Sequence, residues 1–182
     1  MNAFEFPVGV CLLGLVATAA GTDLHSRRIP NWLVLAGLTL ALAVQWWQHG
    51  AAQGYVSWGL GLLTGGCLFL PLYMLRGMGA GDVKLMAAVG AFVGPQPALE
   101  IVLVTCIVGG VWGLTVVIFK RALKSTATNM LTILLSGREL SGRLSETGKD
   151  AAFPSVGSLP YGVAIALGTL GIMALHSAQS LG

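Results

Sequence analysis

The sequence predicts an all-α, polytopic membrane protein with six transmembrane helices, and three observations predict it. Only 9% of the 182 residues are charged, against roughly 25% in a soluble domain. Apolar residues make up 55% of the chain, and the mean hydropathy is +0.80. They fall in long runs rather than in helical or strand alternation, which is the pattern of membrane spans. The same figures exclude a water-soluble globule, a disordered chain, a collagen-like repeat and a disulfide scaffold. The three cysteines, Cys11, Cys67 and Cys106, all lie inside apolar runs and read as small packing residues.

The first run is Phe4 to Gly21. Ala17-Thr18-Ala19 resembles a signal-peptide cleavage site, but the region before the run has no Lys or Arg and carries Glu5, whereas Arg27 and Arg28 follow it. That charge asymmetry favours a retained helix. The second and third runs, Trp32 to Trp47 and Tyr55 to Leu75, are separated by Gln48 to Gly54. The fourth, Val83 to Val93, is short, rising roughly 16 Å against about 30 Å of hydrocarbon. Gly94 to Gln96 leads into the fifth, Pro97 to Phe119, and the sixth is Leu159 to Leu175. Glycines inside the runs, such as Gly59, Gly61, Gly65 and Gly66, are expected at close helix contacts.

If all six runs cross, the connections alternate sides and all ten Lys and Arg fall on one of them: Arg27, Arg28, Arg76, Lys84, Lys120, Arg121, Lys124, Arg138, Arg143 and Lys149. By the positive-inside rule that side is the cytoplasm, and both termini lie outside. Trp46, Trp47, Tyr55 and Trp58 then form an outer aromatic belt, with Trp32 and Tyr73 at the inner interface. The net charge of +3 does not imply nucleic acid, because the basic residues do not cluster with aromatics on any polar domain. The expected partner of this surface is the lipid bilayer. The chain reads as a single membrane-embedded domain over residues 1–182, with a cytoplasmic loop at about 120–158. That loop is either an interfacial helix built on Ala122, Leu123, Met130, Leu131, Ile133, Leu134 and Leu135 or a solvated linker.

Of the seven acids, Glu5, Glu139, Glu146 and Asp150 lie at the terminus or in the loop, and Glu100 reaches the outer interface. Asp23 and Asp82 remain. Asp23 ends the first span and Asp82 begins the fourth, so both belong to the same membrane face. The shortness of the fourth span puts Asp82 below the surface, where an ionisable residue is costly and marks function. Gly77, Gly79 and Gly81 allow close backbone approach before it. Two carboxyl groups in one partly dry cavity cannot both ionise easily and share a proton, which is the arrangement an aspartic peptidase needs. The bland alternative makes Asp82 a helix cap and pairs Asp23 with Arg27 or Arg28. A different class, a transporter or assembly subunit using both acids as an ion or proton path, also fits the spacing.

The chain resembles the type IV prepilin peptidases, a branch of the GxGD intramembrane aspartic peptidases. Gly79-Ala80-Gly81-Asp82 matches the GxGD motif, followed by Lys84. Asp23 with Ile29-Pro30-Asn31 matches the first aspartate region, and Pro160-Tyr161-Gly162 is similar to a late P-[FY]-G segment. The resemblance implies an aspartic endopeptidase of the bacterial inner membrane. Its substrate class would be prepilins or prepilin-like proteins, cleaved at the cytoplasmic face after a glycine that ends a short basic leader. It implies catalysis by Asp23 and Asp82, site-shaping by Gly79 and Gly81, and for Lys84 either electrostatic modulation or interfacial anchoring. No metal and no cofactor are implied. Longer members carry paired CxxC motifs and methylate the new pilin terminus. No CxxC occurs here, so the sequence is similar to the short form of tight-adherence or Flp-type pilus systems, expected to lack methyltransferase activity. A presenilin-like peptidase shares the GxGD chemistry, but Thr22 stands before Asp23 where a Tyr is usual there.

Overall fold

The computed structural model describes residues 7–26, 29–75, 77–119 and 161–181. Within them the chain is helical: α1 Val8–Ser26, α2 Asn31–Met74, α3 Ala80–Val93, α4 Pro95–Phe119 and α5 Tyr161–Leu181. Helices are the expected solution for runs this apolar, because every backbone N–H and C=O is satisfied inside its own segment. Four of them are long and apolar enough to cross a membrane: Val8–Ser26, Asn31–Met74, Pro95–Thr115 and Tyr161–Gln179. The expected count of six is not confirmed by that number, for two physical reasons.

The second and third apolar runs are two helices that meet at a kink, the two limbs of α2, and the expected connection from Gln48 to Gly54 is helical except at that kink. The element α2, 44 residues long, would reach ~66 Å if straight, about twice the hydrocarbon thickness. Instead it breaks at Gly50, where φ is 74° and ψ 171°, a conformation open in practice only to glycine. The chain doubles back there. The Trp58 indole N–H donates to the Leu38 carbonyl at 3.1 Å, although 20 residues of straight helix would separate them by ~30 Å. Trp46 and Tyr55 close the hairpin edge to face, with centroids 4.9 Å apart. Trp46, Trp47 and Tyr55 therefore flank the bend, and Trp32 and Tyr73 stand at the hairpin's open end, all of them exposed.

The fourth run is α3, whose 14 residues rise only ~21 Å. From Leu85 onward it is buried almost all round, with Leu85, Met86, Ala88, Val89, Ala91 and Phe92 inaccessible, as suits a stretch of helix with no polar face. It packs chiefly against α2 and also touches α1 and α5. Its register on the second limb of α2 is set by glycine. A Cβ on Gly61 would collide with the Gly90 carbonyl, one on Gly90 with the Gly61 carbonyl, and one on Gly65 with the Met86 carbonyl. Gly59 meets nothing within 4 Å and Gly66 only the Ala87 methyl at 3.4 Å. The expected close packing is thus carried by two of the four glycines. Gly94, at φ 82°, turns the chain directly into α4, which opens on Pro95, a favourable residue for a first helical position.

The described chain falls into two units, 1–109 with 160–182, and 110–159. The core and the site below belong to the first. Of the second, the end of α4 is described, with Val111, Trp112 and Leu114 facing outward. Large apolar side chains also face outward along α1, α2 and α5, among them Val10, Leu35, Leu63 and Leu167. Surfaces of this kind find their solvent in lipid rather than water. The expected loop at 120–158, Glu5, Pro160 and every Lys and Arg except Lys84 lie outside the described residues.

Candidate active site

Asp23 lies within α1, in its last turns, because the helix runs on to Ser26 rather than ending at Gly21. A carboxylate near a helix C-terminus is badly placed in the field of its own helix. Its position is explained by another helix. The backbone N–H of Gly162, second residue of α5, donates to Asp23 Oδ2 at 2.9 Å. The first amides of a helix have no partner inside it, and the positive end of the helix dipole favours an anion there. The approach is close enough to require glycine. A Cβ on Gly162 would stand 2.8 Å from Asp23 Oδ2, 3.0 Å from its Cβ and 3.2 Å from its Cγ.

Asp82 is held in the same way at the start of α3. Gly79 caps the helix, and its N–H donates to Asp82 Oδ2 at 3.0 Å. Asp82 thus closes the first turn of its own helix without being the cap itself. The capping role expected as the bland alternative is partly realised, with Gly79 at the cap position. Gly81 rests on Ile29, whose Cβ would lie 3.3 Å from any Cβ added there. Lys84 is exposed, and its Nζ donates to Asn31 Oδ1 at 3.0 Å, tying the first turn of α3 to the start of α2.

The two acids are therefore at one end of the helix assembly, where α1 ends and α3 and α5 begin. They are close enough to act on each other electrostatically. Asp23 is 7% exposed and Asp82 8%, a costly state for two carboxyl groups. Among the described residues each uses Oδ2 for one amide, and neither Oδ1 accepts a hydrogen bond. Arg27 and Arg28, the expected partners of Asp23, lie outside the described residues; the described partner is Gly162. One oxygen of each acid is thus fixed by an amide, and the other is uncommitted among the described residues. Among the described residues no three His, Cys, Asp or Glu side chains gather within metal-binding reach. Glu100, expected to reach the interface, pairs at 2.8 Å with Nε2 of His176.

Sequence reasoning gave Gly162 and Asn31 no role beyond their places in motifs, and it passed over Gln45. Gln45 had a signal, being a polar residue inside the apolar run Trp32 to Trp47. The hydrogen bond from Gly162 had none, since it joins residues 139 apart.

The class this defines is a helical protein with four segments long and apolar enough to cross a membrane and two buried carboxyl groups at one cluster of helix ends. Its family is more specific. Residues 10–114 match the model of the type IV leader peptidase family, and the chain belongs to that family. It is 36% identical over 113 residues to a prepilin leader peptidase/N-methyltransferase of Xanthomonas campestris pv. campestris, covering 57% of this chain and 38% of that protein. A Burkholderia pseudomallei protein of the same name is 32% identical over 111 residues, 58% of this chain and 35% of its own. One from Bacillus subtilis is 28% identical over 124 residues, 65% of this chain and 48% of its own. The matched segment thus spans less than half the length of each of these relatives. No solved structure matches.

Proposed function

We propose that this protein is a prepilin leader peptidase of the bacterial inner membrane, in which Asp23 and Asp82 form a catalytic aspartate pair. The observation that carries the reading is the meeting of two buried acids at one end of the helices, in a chain whose family match includes both residues. One carboxylate takes a proton from water as the water oxygen attacks the scissile carbonyl carbon. The other, protonated, donates to the carbonyl oxygen. Collapse of the tetrahedral intermediate breaks the C–N bond, and the leaving amine takes the proton. Gly79 and Gly162 hold the acids, Gly81 lets the α3 loop lie against Ile29, and Lys84 ties that loop to Asn31.

In this reading both limbs of the α2 hairpin cross the bilayer and α3 spans it as the short fourth of six segments. The open end of the hairpin faces the cytoplasm, both termini lie outside, and the substrate is a membrane-inserted prepilin with its basic leader in the cytoplasm. Ten basic residues on one side support that orientation. The test is cleavage of a prepilin whose short basic leader ends in glycine, by wild type, Asp23→Asn and Asp82→Asn, read as product mass. Leader loss with wild type alone is expected, and the same mass reports whether a methyl group is added. Cleavage retained in either variant refutes the pair.

A further inference from the structure

Gln45 is the largest polar side chain buried in the described core, 1% exposed, and nothing in the proposed chemistry uses it. It sits on the first limb of α2, five residues before the bend at Gly50. Its Nε2 donates to the Phe92 carbonyl at 2.9 Å and reaches the Ala91 carbonyl at 3.3 Å. Both neighbours are acceptors, so the amide orientation is fixed. These carbonyls belong to the last turn of α3, where a helix has no acceptors satisfied from within. Ala91 and Phe92 are themselves buried, so solvent does not serve them, and an unsatisfied carbonyl in an apolar interior costs several kcal/mol by the order of magnitude for membranes.

We propose that Gln45 is the C-terminal cap of α3 and, through that helix, a positioning residue for Asp82. A helix only 14 residues long ends inside the assembly instead of at its surface, and Gln45 supplies the donors that let it end there. The contacts at Gly61 and Gly65 set how closely the middle of α3 lies on α2. The two Gln45 bonds add a fixed point at the C-terminal end of α3. Asp82 is at the opposite end of the same rigid helix, so its axial position follows that of Phe92. Without the donors, α3 shifts toward its own C-terminal end to bring those carbonyls to water, and its first turn is drawn into the assembly.

The effect on turnover rests on the peptidase reading; the effect on α3 does not. A background without the native cysteines carries Ala80→Cys, at the exposed first residue of α3, and its reaction with a water-soluble maleimide is timed. Gln45→Met, which keeps shape and loses the donor, is expected to slow that reaction by about fivefold or more as local opening and depth change. With the native Ala80, the same substitution is expected to lower kcat by about 10- to 100-fold, with KM within about twofold. Gln45→Glu, whose neutral carboxyl in this apolar setting keeps one donor, is expected to recover much of both. Should Gln45→Met fail to fold, Gln45→Asn, one methylene too short to reach, is expected to give the same slowing. An unchanged or faster maleimide reaction in a folded Gln45→Met or Gln45→Asn protein overturns the proposal. A wild type that cleaves no prepilin, with the maleimide effect intact, overturns the peptidase reading instead.

Discussion

Gly162→Ala isolates the contact that holds Asp23. The added methyl would stand 2.8, 3.0 and 3.2 Å from Oδ2, Cβ and Cγ of Asp23. Because Cβ is one of the three, turning the carboxyl group alone does not relieve the clash, and α1 and α5 must separate by several tenths of an ångström. Overpacking of this kind costs about 1–3 kcal/mol, and weakening a hydrogen bond to a carboxylate costs about 1–3 kcal/mol more. Against this, alanine gains up to about 1 kcal/mol over glycine in a helix. The expected net loss is roughly 1–5 kcal/mol. Gly171→Ala, on the same helix with nothing within 4 Å of its added Cβ, keeps only the helical gain. Thermal unfolding in detergent should therefore move in opposite directions for the two variants. Cleavage by Gly162→Ala should fall by about 100-fold, the cost of misplacing a reacting group by about an ångström, and Gly171→Ala should cleave like wild type. Equal stability and equal cleavage in the two variants would refute the claim that Asp23 is positioned by the N-terminus of α5.

Gly61→Ala places a methyl against the Gly90 carbonyl, whereas Gly59→Ala meets nothing; the first should lower the unfolding free energy by about 2 kcal/mol or more and the second leave it unchanged or raised. Gly50→Ala forces a side chain onto φ 74° and should cost about 1–3 kcal/mol, measured in the same assay. Trp58→Phe removes the donor to Leu38 and should cost about 1 kcal/mol. Lys84→Ala breaks an exposed bond to Asn31, so stability should change by less than about 1 kcal/mol; a much larger loss would show that the tie between α2 and α3 is tighter than its exposure suggests.

The sequence by itself determined that the chain is helical, with runs long and apolar enough to cross a membrane, and it singled out Asp23 and Asp82, because both are local properties. Hydropathy accumulates over about 20 consecutive residues, and an acid at the edge of such a run is visible without knowing its neighbours. It also placed the turn near Gly94 and the breadth of α3 within three residues, since Gly and Pro punctuate locally. It separated the second and third runs but missed how short their connection is, because a single glycine at positive φ suffices where a polar loop was expected. Only the tertiary structure decided that Gly61 and Gly65, not Gly59 and Gly66, carry the helix contact, that Gly162 holds Asp23, and that Gln45 caps α3. Each depends on the relative rotation and depth of packed helices, and those follow from the shape of the whole core rather than from the residues of any one segment.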